Sequence, residues 1–258
     1  MTAVSYEFDD GVSWITLTAP DTGNPFTMPM AEQLLAAVQR SQRDDAHVTV
    51  LRAEGRTFSV GGDVKAFAGA EDRGRFVEDL AEVLHRAVSD LHRNETVVVC
   101  AVQGAAAGAG FSLAAAADIV LAAEAARFTM AYTKIGLSPD GGASLLVNTV
   151  GLHRTLAIGL LNPLLSAHEA QAAGLVHAVH PDAELAQATL RVVQELRRGS
   201  RAAQVATRRL IRSAAQPLEE GQLRQESLSI SRTAASPDGS EGLAAFLGKR
   251  VPAWPSRS

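Results

Sequence analysis

The residues best placed to do chemistry in this chain are small ones. Val97 to Asp118 reads VVVCAVQGAAAGAGFSLAAAAD: β-branched residues, then Gly104, Gly108 and Gly110 among alanines, then an alanine-rich run. The pattern predicts a buried strand over 97–102, a tight small-residue turn, and a buried helix from about Gly110. A helix that starts at such a turn offers unpaired backbone N–H groups and the positive end of its dipole. With no bulky side chain at Ala107, Ala109 or Gly110, a ligand oxygen can approach that backbone closely, as an oxyanion site requires. A second stretch, RAEGRTFSVGGDVKAF, repeats the theme: a strand, a loop with Gly61-Gly62, then Asp63 in position to cap a helix. A third, Pro139-Asp140-Gly141-Gly142, sets a carboxylate at the start of another helical run, where capping is its simplest role.

Other chemistries fit less well. Gly108-Ala109-Gly110 continues as Phe111-Ser112-Leu113, with no third glycine for a dinucleotide loop and no lysine for a phosphate loop. The 21 uncharged residues from Val97 to Ala117 reach the length of a membrane span and hold a GxxxG at Gly104 and Gly108. Three glycines, Gln103, Ser112 and the lack of a second apolar span argue against a membrane helix. His85 and His92 lie seven residues apart on one amphipathic run with no carboxylate or third ligand at metal spacing, so a solvated or half-buried face is expected and no metal. His177 and His180 read as surface residues. The single cysteine, Cys100, sits in an apolar run, which excludes an internal disulfide and points to the cytoplasm.

The elements that must position these loops follow from pattern. Hydrophobic residues make up 47% of the 258 residues and aromatics only 5%, so small aliphatic side chains fill a large core packed closely between helices and sheet. Net charge is −4 and the isoelectric point near 6.0, with no basic stripe, which leaves no case for nucleic acid. The start, MTAVSYEFDDG, has neither the basic nor the apolar region of a signal peptide. Tyr6 to Leu17 predicts a hairpin about Asp9-Asp10-Gly11. Helical periodicity covers 30–43 and 76–91, and Ser166 with Glu169 forms a capping-box pattern. From Pro181 the pattern is helical, over about 183–198, 201–213, 217–234 and 241–247, with breaks at Pro217 and 236–239. The boundary expected is therefore a βα core over 1–180 and a helical region over 181–258, packed on the core or on a partner chain.

Taken together, FSVGGDVKAF (58–67), VQGAAAGAGFSLAAAADIVLA (102–122), KIGLSPDGG (134–142) and EGLAAFLGKRVPAW (241–254) resemble the crotonase superfamily, the enoyl-CoA hydratase/isomerase family. The resemblance spans the chain in order. It implies an α/β fold, a superhelix of ββα units with a C-terminal helical trimerisation region, and a homo-oligomer, trimer or dimer of trimers. It implies acyl-CoA thioester substrates, with coenzyme A as part of the substrate and neither a separate cofactor nor a metal. By the same resemblance the N–H groups of Gly62 and Ala109 form the oxyanion hole. Two such donors stabilise the enolate formed when a proton leaves the carbon alpha to a thioester, each worth about 3 kcal/mol in comparable sites. Substrate contacts fall to Phe58, Val60, Asp63, Lys65, Ser112, Tyr132 and Lys249, with Lys65 and Lys249 (beside Arg250) facing CoA phosphates.

The departures from the family's pattern direct the reading of activity. Two glutamates serve typical hydratases, and the matching positions here hold Ser112 and Tyr132. A serine hydroxyl has no useful basicity, and tyrosine titrates near 10 in model compounds. In isomerase branches a lone carboxylate follows the Pro step, where Asp140 stands. One base can move a proton between two carbons of a dienolate, so the first expectation is an enoyl-CoA isomerase with Asp140 as proton shuttle. An enoyl-CoA hydratase and a non-catalytic acyl-CoA binding protein are the alternatives.

Overall fold

The computed structural model describes residues 2–215 and 220–254. The main sheet has six strands in the order β1 (Val4–Asp9), β2 (Val12–Leu17), β3 (Val48–Ala53), β4 (Val97–Val102), β6 (Ile119–Ala123) and β9 (Ala178–His180). β1 and β2 form the expected antiparallel hairpin, closed by positive φ at Asp10 and Gly11. From β2 onward the sheet is parallel. Along the fully buried β4, side chains alternate between two cores. Val98, Cys100 and Val102 enter the main core, while Val99 and Ala101 face a second one with Leu185 and Val193. An unbroken apolar run is what a strand covered on both faces requires.

The second sheet is small: β5 (Ala105–Ala107), β7 (Arg127–Thr129) and β8 (Leu165–Ser166). The alanines expected as a turn are thus a strand, paired in parallel with β7. The turn itself is compressed into Gly104, at φ +114°, where a Cβ would lie 1.9 Å from the Arg56 carbonyl oxygen. Only glycine lets the chain leave the main sheet there.

The helices are α1 (Met28–Arg43), α2 (Val64–Gly69), α3 (Arg73–Arg93), α4 (Ala109–Ala115), α5 (Val147–Val150), α6 (Leu152–Leu161), α7 (Ala167–Ala172), α8 (Leu185–Arg198), α9 (Arg201–Ala215), α10 (Glu220–Ala235) and α11 (Pro237–Leu247). Ser166 and Glu169 close the capping box at α7. The start of the expected 217–234 helix lies outside the described residues. The helices after 181 share the core of the preceding part, since α8 contributes Leu185 and Val193, and α10 and α11 contribute Ile230, Ala234 and Leu243. Buried Arg208 of α9 donates to Asp118 (2.6 Å) and to the carbonyls of Leu91, His92 and Asn94 (2.7, 3.0 and 2.9 Å), pinning the end of α3. Among the described residues, no helix is long and apolar enough to cross a membrane.

Candidate active site

Two loops meet at the C-terminal end of the parallel strands. The Ser59 N–H donates to the Ala105 carbonyl (3.0 Å) and the Ala107 N–H to the Ser59 carbonyl (2.9 Å), which lays the 58–62 loop along β5. Contact is so close that a Cβ on Gly61 would lie 2.8 Å from the Ala107 carbonyl oxygen, and one on Gly110 2.6 Å from Ser59 Cβ. Gly62 and Ala109 are the next residues of the two loops. Among the described residues neither of their N–H groups donates to a protein acceptor, and Ala109 opens α4. Two free donors brought side by side can bind a developing oxyanion.

Beside them opens a cavity of about 250 Å³, walled by Val60, Gly62, Gly108, Tyr132, Phe246 and Arg250 among others. Of the expected contacts, Val60 and Tyr132 line this space. Phe58 is fully buried in the core instead. Asp63 caps α2, its carboxylate accepting from the Lys65 and Ala66 N–H groups (3.0 and 3.2 Å). Lys65 and Lys249 are exposed and outside the lining, and Arg250 takes the place expected of Lys249 in it. Glu241 holds Arg250 with two bonds of 2.5 and 2.8 Å, and is itself held down to about 2, by Arg250 first and the Ala253 N–H second.

Ser112 and Tyr132 converge on one backbone acceptor. Both hydroxyls donate to the backbone carbonyl of Asp140, at 2.9 and 3.0 Å. Burial pushes the Tyr132 hydroxyl well above its usual range, and the Asp140 charge adds to this. Together they anchor the Pro139-Asp140 step, and Gly141 and Gly142, at φ +71° and +85°, turn the chain beyond it. The Asp140 side chain then reaches α3, where its Oδ1 lies 2.7 Å from His85 Nε2.

His85 therefore overturns the expectation of a solvated or half-buried face: it is 3% exposed. Its Nε2 is also 3.5 Å from Glu226 Oε2 on α10, and its Nδ1 is 3.0 Å from Ser227 Oγ. Glu226 in turn accepts from the N–H groups of Gly142 (2.7 Å) and Ser144 (3.0 Å) and from the Ser144 hydroxyl. Burial works to lower the His85 pKa, but hydrogen bonds and charge from Asp140 and Glu226 outweigh it and raise it to about 10. Sequence reasoning missed His85 and Glu226. The signal was present, because His85 shares the apolar face of Ala81, Leu84 and Val88, where a polar side chain needs a buried partner.

These three residues are of metal-ligating types, with donor atoms within 4.8 Å of one another. A tetrahedral zinc would hold two ligands about 3.3 Å apart, from bonds near 2.0 Å. The 2.7 Å between Nε2 and Oδ1 suits a shared proton better, and Glu226 is already engaged by Gly142 and Ser144.

The sequence matches the enoyl-CoA hydratase/isomerase family over residues 7–257. It is 32% identical over 258 residues to a trans-2-decenoyl-(acyl-carrier-protein) isomerase from Streptococcus mutans, with 96% of each chain covered. Over 251 residues it is 35% identical to a 1,2-epoxyphenylacetyl-CoA isomerase from Escherichia coli, with 95% of each covered. The crystal structure of an enoyl-CoA hydratase from Mycobacterium avium subsp. paratuberculosis superimposes with a TM-score of 0.89 at 34% identity, covering 98% of each chain. With the paired small-residue loops and the cavity beside them, these similarities show that the chain is an enzyme of the enoyl-CoA hydratase/isomerase family, within the crotonase superfamily.

Proposed function

We propose that this enzyme is an enoyl-CoA isomerase, moving a double bond between the β,γ and α,β positions of an acyl-CoA thioester with Asp140 as proton shuttle. One observation carries this reading: the hydroxyls at the two hydratase glutamate positions are both spent on the Asp140 carbonyl, and Asp140 supplies a carboxylate instead. Asp140 takes the proton from C2 of a 3-enoyl thioester. The electron pair moves onto the thioester oxygen, where the Gly62 and Ala109 N–H groups hold the dienolate. Asp140 then returns the proton at C4, and the double bond settles at C2–C3. A single base suffices because no water is added and no leaving group departs. Coenzyme A enters and leaves with the substrate, and the chemistry calls for no further cofactor in a cytoplasmic setting.

Association of copies belongs to the same reading. Leu152, Leu156 and Leu160 form a stripe on α6, exposed at 59%, 47% and 67%, with Leu164 beyond it at 62%. An apolar stripe of this kind is covered when subunits meet, as in a trimer or dimer of trimers. Light scattering on the purified protein reads the stoichiometry directly.

The test of the reaction is to incubate the enzyme with a 3-enoyl-CoA in D₂O and follow it by NMR. The 2-enoyl isomer, with deuterium at C2 or C4 and no hydroxyacyl product, is the expected result. Accumulating 3-hydroxyacyl-CoA would make the enzyme a hydratase, and tight binding without exchange would make it a binding protein.

A further inference from the structure

We propose that His85 is a positioning residue that grips one oxygen of the Asp140 carboxylate so that the other meets the substrate proton; this rests on the isomerase reading above. The geometry dictates the roles. Ser227 Oγ gives its hydrogen to the Leu223 carbonyl (3.3 Å), so it accepts from His85 Nδ1–H at 3.0 Å. Nε2 then faces Asp140, 2.7 Å from Oδ1, which is ion-pair distance once the ring carries both protons. Oδ1 is sealed from solvent and accepts no hydrogen bond among the described residues, so the charge of the His85 ring is what compensates it. The second oxygen has no protein partner among them either, while the side chain keeps 9% exposure. One oxygen is gripped and one is free.

The grip is built to hold a charge. Glu226 faces the same nitrogen from α10 and is held in place by the Gly142 and Ser144 donors. Among the described residues, Tyr132 and, one turn earlier on α3, Glu82, itself paired with Arg224 of α10 at 2.8 Å, also bear on this cluster. When Asp140 accepts the substrate proton, the buried group of Asp140, His85 and Glu226 passes from one net negative charge to none, and His85 keeps its own proton. The Gly141 N–H, 3.1 Å from Nε2, is an alternative partner for that nitrogen when it is deprotonated. Preorganising the base in this way removes a rotational search from the proton-transfer step.

The experiment combines three proteins and two readouts. In His85→Gln, kcat for isomerisation falls about 10²-fold while KM holds, the scale expected for a misplaced catalytic group. The basic limb that loss of the His85 proton near pH 10 gives the unaltered enzyme is also absent from its pH–rate profile. A uniform loss at every pH would mark a structural role and overturn the proposal. Histidine-selective ¹⁵N NMR of the unaltered enzyme needs no variant to fold: His85 is an imidazolium at pH 8, and a neutral ring there would overturn the grip. Asp140→Asn separates the two claims. Should it stay active, the isomerase reading fails; should it be dead while His85→Gln is normal, only the positioning role fails.

Discussion

Replacing Asp140 with asparagine removes the proposed base and almost nothing else. The amide has the carboxylate's shape, and Ser112 and Tyr132 bond the backbone carbonyl at this position, so the loop keeps its anchors. His85 retains Glu226 as a counter-charge, and the oxygen of the introduced amide accepts from Nε2 in place of Oδ1. The proposed contact of Asp140 with the substrate is confined to the reacting carbons, and the amide fills the same space. Binding of a saturated acyl-CoA is therefore expected to change by no more than about twofold, as for an isosteric, well-tolerated substitution. Turnover is another matter. A positioned acid–base group contributes about 10² to 10⁴ in rate, or about 3 to 5.5 kcal/mol of barrier at 1.36 kcal/mol per decade. The assay is the appearance of the conjugated 2-enoyl thioester from a 3-enoyl-CoA, with calorimetry for binding and a thermal melt to confirm folding. If kcat in Asp140→Asn stays within about threefold of the parent, far below what loss of a base costs, the one-base mechanism is refuted.

Four further outcomes follow from the geometry. Gly110→Ala sets a methyl 2.6 Å from Ser59 Cβ and pushes the start of α4 away from the 58–62 loop, so kcat drops by about 10² as the two proposed oxyanion donors separate, with the fold still cooperative in urea. Arg208→Leu removes four hydrogen bonds of a buried side chain, to Asp118 (which keeps Arg212) and to three carbonyls beneath α9, and costs about 3 kcal/mol, read as a lower denaturation midpoint. Because folding raises His85 from the ordinary 6.5 to about 10, its stabilising contribution is complete below pH 6.5 and is lost as the pH rises through 10. Urea midpoints should decline over that window, and decline less in His85→Gln. Leu156→Glu places charge in the apolar stripe of α6, and light scattering should report smaller assemblies if that stripe is where copies meet.

What the sequence determined by itself was whatever is local. The Asp9-Asp10-Gly11 hairpin, the continuous apolar β4, and the capping box at Ser166 each follow from a few adjacent residues, and each is present as expected. The small-residue loops were legible for the same reason, since close backbone approach tolerates only glycine and alanine. Tertiary structure decided what depends on a distant partner. Ala105–Ala107 became a strand because β7 lies beside it, a fact absent from three alanines. Lys249 gave way to Arg250 in the cavity wall because a positive φ at Lys249 and the Glu241 pair set the direction of the chain end. The carboxylate at Asp140 read most simply as a helix cap, and only the packing of α10 along α3 brought Glu226 and His85 to it. A buried charge needs compensation, but sequence spacing does not say from where, and here the compensating groups come from helices far apart in the chain and adjacent in space.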